Sequence, residues 1–490
     1  MNTKPIDQNT TKSGPCDKHA GLDTDDQILA HLGHEQELRR EFSVFTLVAL
    51  CSCLMASWEA LATVIATALT NGGPPWQYHW VAALSMSSRR SAPAFTTGWI
   101  SVGGQLVFSA SAAFAAGLQI QGLIVLNDSD YMPSRWQGML LYWAVLAYSC
   151  VTNVWGIKSL PHTNMSAGVI HVVAFIGTVI VLLVLSDKNP SSFVFANFQN
   201  SSGWANDGVS WLVGLLSAVY PFLGYDAACH MAEELPLASR NVPLAMMGTV
   251  LINGIMGLVY CIVILYSTGS LESLLATPTG FPFMQIYLTA TKSRVGGTIL
   301  SVMIPIIAAA ASAAGLTSTS RTLWAFARDK ATPFDRYLSK VDKRLQIPAN
   351  AVFVTAAIQA ALGLIYLGSA TAFNALLSMA VIGMYLSYLL PILYMIGYGR
   401  RPDMNKVDRY FRLPNSLGMV VNLVSCAWIV LVIIFSTFPP VLPVTAQTMN
   451  YSSVVFTGWL LFGAVYYWLY GRHKFEVPMS DVLIISAVEG

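Results

Sequence analysis

Residues 209–234 read VSWLVGLLSAVYPFLGYDAACHMAEE. The first twelve positions make an apolar helix without a charge, and then Pro221, Gly224 and Asp226 arrive within six residues. Proline removes a backbone donor, and glycine readily adopts conformations that a helix does not use. In lipid, a backbone opened in this way is tolerated only where it lines a cavity or is covered by protein. An ionisable side chain beside the break is costly there, and by default it marks function. Everything turns on whether this stretch lies in a membrane.

Composition places it there. Of 490 residues, 54% are hydrophobic and 11% charged, against about 25% charged in soluble proteins. With 27 basic and 25 acidic residues and a mean hydropathy of +0.55, the chain is neither a cytosolic enzyme, nor a secreted disulfide scaffold, nor a disordered regulator. A net charge of +2 is no phosphate footprint, so nucleic acid is not an expected partner. The lipid bilayer is. Seven cysteines, among them Cys51, Cys53, Cys150, Cys261 and Cys426 within apolar runs, form neither a disulfide framework nor zinc spacing and read as buried thiols.

Stretches long enough to span a bilayer occur at 43–70, 95–127, 138–157, 165–186, 209–232, 243–268 and 295–320. Two longer uncharged stretches, 348–399 and 415–471, each fit two helices, with turns near Gly368-Ser369 and Pro439-Pro440. The expectation is an all-α integral membrane protein of about eleven helices; nothing alternates as barrel strands do. Residues 1–42 read as a polar cytoplasmic tail without a cleavable signal peptide, disordered over 1–38. Residues 43–471 form the transmembrane domain, and 472–490 a short cytoplasmic tail.

Basic residues favour the cytoplasmic side, which assigns it 325–347 (Arg328, Lys330, Arg336, Lys340, Lys343, Arg344) and 400–412 (Arg400, Arg401, Lys406, Arg409, Arg412). The sequons at Asn127, Asn200 and Asn450 then fall outside. The same rule puts both Arg39-Arg40 and Arg89-Arg90 inside, yet one clear helix separates them. Either the polar N-terminus is translocated, or 71–88 makes an unusual re-entry, or a span is missing; the last is the expectation.

Ionisable residues within spans are the functional candidates. Asp226 either faces substrate or caps a helix end. Glu59, in Ser57-Trp58-Glu59-Ala60, either faces substrate or pairs with a neighbouring helix. His171 is a proton carrier or a hydrogen-bonded core residue; imidazole in general titrates near neutral pH. His230 and Glu233-Glu234 read as interfacial. The hydroxyls of Thr317-Ser318-Thr319-Ser320 either line a pathway or bond to the backbone, next to a thin Ala/Ser/Gly face at 308–315. No nucleotide, metal or cofactor motif is present, so an enzyme is not expected and transport would draw on a gradient.

Phe222 to Pro243 (FLGYDAACHMAEELPLASRNVP) resembles the sixth helix and following loop of fungal permeases in the amino acid–polyamine–organocation superfamily. Ser320 to Asp329 (SRTLWAFARD) resembles the end of their eighth helix, Thr97-Gly98-Trp99 the start of the third, and Gly280-Phe281-Pro282-Phe283 the approach to the eighth. Matches run in order from about residue 40 to 472, and the amino acid/choline branch, with γ-aminobutyrate and choline permeases, is the most similar. The resemblance implies a leucine-transporter-like fold of twelve helices, with two inverted five-helix repeats and two further helices. It implies proton-coupled uptake by alternating access, with substrate between unwound parts of helices one and six, here Ser57–Ala60 and Phe222–Ala227. His171 falls on the fifth helix, where relatives often carry a titratable group. A plasma-membrane location is implied, with the vacuole second. The departure is at Asn71-Gly72-Gly73-Pro74-Pro75, which abuts Trp76-Gln77-Tyr78-His79-Trp80 where relatives have a whole second helix.

The expected substrate-binding residues are Ser57, Trp58, Glu59, Ala60, Phe222, Gly224, Tyr225, Asp226 and Ala227, with His171 and Asp226 as proton-coupling candidates. Residues 43–71 hold no glycine to free amides for an α-carboxylate. Carboxylates with Trp58, Tyr220, Phe222 and Tyr225 suit a cation, since aromatic faces hold quaternary ammonium groups. Choline or another amine leads, followed by γ-aminobutyrate and amino acids. The alternative is a transport-inactive sensor or remnant that lacks the second helix.

Overall fold

The computed structural model describes residues 36–64, 91–398 and 413–476, apart from 39, 41, 157–158, 197–199, 201, 215, 270–273 and 275. Among these it is all-α, with one isolated bridge between Asp342 and Ile347. The missing-span question and the two terminal tails, 1–35 and 477–490, lie outside the described residues.

Among the described residues, eight helices are long and apolar enough to cross a membrane, and Val44–Ala60 adds a shorter one. The chain runs through α1 (Val44–Met55), α2 (Ser57–Val64), α3 (Ser91–Asn127), α4 (Arg135–Val154) and α5 (Leu160–Leu185). It continues with α6 (Asp207–Gly214), α7 (Ala227–His230), α8 (Ala238–Tyr266), α9 (Pro282–Thr291) and α10 (Arg294–Arg328). α11 (Ala349–Gly368), α12 (Ala370–Gly397), α13 (Asn415–Phe435) and α14 (Ser452–Tyr466) complete it. Every expected span contains helix, and the turns fall at Ser369 and in the link holding Pro439-Pro440.

Solvent preference sorts the helix faces. On α5 the residues Asn164, Ala167, His171, Ala174, Thr178 and Leu182 are buried, at the spacing of one helical face. Val169, Val173, Ile176, Ile180 and Val184 on the other side are exposed, as a lipid-facing surface requires. Small residues let the central helices approach. A Cβ on Gly104 of α3 would lie 2.8 Å from the Met384 backbone nitrogen of α12, so only glycine permits this contact.

Two spans are broken. Between α1 and α2, Ala56 takes φ 42° and ψ 48°, a left-handed conformation that costs about 1–2 kcal/mol for a residue with a Cβ. Asn253 of α8 offsets that cost: its Oδ1 accepts from the Ser57 amide at 3.2 Å and the Ser57 hydroxyl at 3.0 Å. The break thus precedes Ser57–Ala60, which forms the first turn of α2 and is not itself unwound. The sixth span gives way to a single 3-10 turn at Tyr220–Phe222, extended Leu223, and Gly224 at φ +97° before α7. Glycine is required at 224, where a Cβ would also lie 2.9 Å from Leu54 Cγ.

The last residues of the N-terminal segment pack on the core. Leu38 and Phe42 are buried, Gln36 donates to the Glu233 carbonyl at 3.0 Å, and the Phe42 amide donates to the Glu234 carbonyl at 3.3 Å. Leu38 packs with Trp324 and Ala351, and Phe42 joins the main core cluster, so these two apolar residues are held against the helices rather than in the tail that the segment's polarity predicts.

Candidate functional site

The two breaks are brought together. A small cavity lies between Leu54 of α1, Gln105 and Phe108 of α3, Gly224 and Asp226 of the sixth span, Gly315, Ser318 and Thr319 of α10, and Met384 of α12. It leaves about 10 Å³ for the centre of a water-sized sphere, room for about one water. A solute larger than water does not fit this space as it stands.

Asp226 is 3% exposed. Its Oδ2 lies 3.2 Å from His230 Nε2, one helical turn on. The same ring nitrogen is in contact with Gln105 Nε2, while His230 Nδ1 lies 2.8 Å from the Thr322 hydroxyl. Thr322 in turn reaches Gln105 Oε1 and the Ser318 carbonyl, both at 3.0 Å. α3, α7 and α10 are thus joined by one polar network with Asp226 at the cavity wall. His230 is not interfacial: its side chain is 4% exposed, because the unwound segment turns α7 back into the protein.

Beyond this network, Glu234 Oε1 accepts from Arg321 Nε at 2.8 Å, with side chains 4% and 1% exposed. Glu233 takes Arg328 at 2.8 Å, and the Arg328 guanidinium lies 4.4 Å over the Trp324 ring. Glu234 is buried, again against the interfacial expectation.

The other expected residues divide. Glu59 Oε1 lies 2.6 Å from His171 Nδ1, with both side chains almost fully buried. Trp58 packs beside them, 5.3 Å from the Tyr260 ring and 6.1 Å from Phe175. Ser57 is held by Asn253, and the Ala60 amide donates to Ala56 at 2.7 Å. Tyr225 lies 6.3 Å from the Tyr388 ring, Ala227 is buried beside it, and Phe222 packs on the main core cluster. Gly224 and Asp226 border the cavity, while Trp58 and Glu59 sit in a separate cluster with α5 and α8. In the hydroxyl run, Ser318 and Thr319 border the cavity, whereas Thr317 bonds to Asn153 at 2.6 Å and Ser320 to the Thr317 carbonyl at 2.9 Å.

Sequence reasoning passed over Gln105, Asn253, Arg321 and Thr322. Arg321 carried a signal, since it directly follows an uncharged membrane run and a charge in that position needs a partner. Gln105 and Asn253 carried none beyond being amides in apolar helices.

A polytopic all-α chain with two broken spans meeting at a buried carboxylate is built as a membrane transporter. A likeness to a solved structure supports the fold: MhsT in complex with L-phenylalanine aligns with a TM-score of 0.51 at 15% identity, covering 83% of this chain and 94% of that one. This is the leucine-transporter-like architecture. The family model described as amino acid permease matches residues 42–462, and the chain belongs to that family. It is 29% identical to a choline transporter of Saccharomyces cerevisiae over 90% of this chain and 83% of that protein. It is also 29% identical to an amino-acid permease of Arabidopsis thaliana, over 94% and 98%. The chain is thus a multi-pass membrane permease and not an enzyme.

Proposed function

We propose that this permease carries a small solute bearing a positively charged nitrogen, such as choline, γ-aminobutyrate or an amino acid, and that a proton gradient drives its accumulation by alternating access. The buried Asp226 carboxylate at the wall of the cavity between the two broken spans carries this reading. A desolvated carboxylate in such a site favours a cationic group. Phe108 is the aromatic that borders the cavity, while Trp58 packs on Tyr260 and Phe175. A full aromatic cage would need other rings to move in, so the charge of Asp226 supports the reading more than aromatic stacking does. The choline transporter and amino-acid permease relatives agree with this range of substrates. Coupling to protons is assigned to Asp226, the titratable group at the cavity wall, and the plasma membrane is the proposed location.

The test is uptake of radiolabelled choline, γ-aminobutyrate and a panel of amino acids into proteoliposomes, with and without an inward proton gradient. Accumulation of one of them that falls at least about tenfold in Asp226→Asn, a loss of about 1.4 kcal/mol, supports the carrier. No accumulation of any of them would favour the transport-inactive reading.

A further inference from the structure

Two buried histidines sit near the breaks, and their surroundings differ. His171 meets Glu59 through Nδ1, while its Nε2 finds no hydrogen-bond partner among the described residues. Neither His171 nor Glu59 borders the cavity. Among the described residues, a second proton on this ring has no acceptor. His230 is set differently. Its Nε2 is flanked by a carboxylate acceptor, Asp226 Oδ2, and by an amide donor, Gln105 Nε2. Its Nδ1 meets a hydroxyl, Thr322, that can both accept and donate.

We propose that His230 and Asp226 form the proton-binding pair of this permease; this rests on the transport function proposed above. The geometry satisfies the ring in both charge states. Protonated, Nε2–H donates to Asp226, and Nδ1–H donates to Thr322, whose own hydrogen goes to the Ser318 carbonyl. Neutral, Nε2 accepts from the Gln105 amide and Nδ1–H keeps its bond to Thr322. The proton arrives on the Nε2 lone pair from water in the cavity, which Asp226 and Gln105 border, and leaves by the same nitrogen. Both ring nitrogens keep a partner in either state, and on protonation Nε2 exchanges the Gln105 amide for the Asp226 carboxylate, so the ring changes charge without either of its own nitrogens being orphaned.

The titratable neighbours do not cancel this. Asp226 faces Cys51 of α1, Tyr225 and Cys229 of its own span, and Tyr388 of α12. α3 and α10 offer Gln105 and Thr322, and the Glu234–Arg321 pair one turn on is internally compensated. A cationic nitrogen brought to Asp226 draws on the carboxylate that holds the imidazolium. Proton and substrate are thereby linked, each changing the other's binding by the same factor.

The experiment is histidine-selective NMR on the full-length protein in nanodiscs. Of the eight histidines, the resonance lost in His230→Gln, or moved in Thr322→Val where that variant does not fold, is followed across about pH 5–8, the usual range for imidazole. We expect it to move between charged and neutral forms, with its midpoint falling in Asp226→Asn because the carboxylate that favours imidazolium is gone. A resonance that does not titrate, or whose midpoint ignores Asp226→Asn, overturns the proposal. Uptake of choline and γ-aminobutyrate separates this from the function itself. If wild type accumulates either one, His230→Gln is expected to lose acid-driven accumulation, and unchanged acid-driven accumulation in His230→Gln overturns the pair. If wild type accumulates neither, the functional reading for these solutes fails and the titration still decides the pair.

Discussion

Glu59 and His171 are 112 residues apart in sequence, yet their side chains meet at 2.6 Å in the interior. The pair ties α2, just past the first break, to the inward face of α5. Each member is a histidine or carboxylate that the surrounding Trp58, Phe175 and Tyr260 rings keep from water.

Removing one member strands the other. Glu59→Leu or His171→Leu is expected to destabilise the folded protein by about 3–5 kcal/mol, the usual result of breaking a buried pair from one side. The double substitution is expected to recover part of that loss. Thermal unfolding of the four purified proteins in one detergent gives the coupling, and strictly additive losses would show that the pair does not act as a unit.

Arg321 and Glu234 behave by the same rule at the other end of the unwound segment. Arg321→Met leaves the Glu234 carboxylate, which is now 4% exposed, without its counter-charge. Glu234→Gln keeps an acceptor for the guanidinium but loses the charge attraction, so it is expected to be the milder change. Expression level and thermal midpoint should rank wild type, Glu234→Gln, Arg321→Met from highest to lowest. The reverse order for the two variants would show that another group compensates Glu234.

At Gly224 the backbone itself sets the limit. Gly224→Ala meets Leu54 Cγ at 2.9 Å and must hold φ +97°. Leu54→Ala relieves that contact but neither the 3.0 Å approach to Phe108 Cε1 nor the left-handed strain. The double variant is therefore expected to recover only part of the uptake and stability lost in Gly224→Ala. Complete recovery would mean that the steric contact, and not the torsion, was limiting.

The indoles of Trp99 and Trp459 stack at 4.7 Å, and each N–H donates to the other residue's carbonyl at 3.0 Å. Each ring lies over a glycine of the opposite helix: a Cβ on Gly103 would come 2.2 Å from Trp459 Nε1, and one on Gly463 would come 2.3 Å from Trp99 Nε1. Trp459→Phe loses one hydrogen bond, about 1 kcal/mol. Gly103→Ala displaces the whole ring and is expected to cost more. Comparing thermal midpoints of the two checks this, and a smaller loss for Gly103→Ala would show that the α3–α14 contact yields easily.

Apolar runs of membrane length, turns at Gly368-Ser369 and around Pro439-Pro440, and the Pro221–Gly224 break were all written in the sequence. Lipid admits few ways to satisfy a backbone, so length and composition alone fix most of such a fold. Asp226 was legible too, as a charge beside a broken helix. Ala56 was not, because no glycine or proline marks it. Its left-handed turn exists because Asn253, 197 residues from it, bonds the next residue.

Which polar groups meet was decided by the tertiary structure alone. His230 and Glu234 look like the rim of a span on a helical wheel, yet the unwound segment carries them inward to Gln105, Thr322 and Arg321. Trp58 and Glu59 sit next to the first break in sequence, yet the turn of α2 sends them to His171 and away from the cavity. A chain of apolar helices states how often it crosses the bilayer; the rotation of each helix about its own axis depends on neighbours distant in sequence, and that rotation selects which carboxylate borders the cavity.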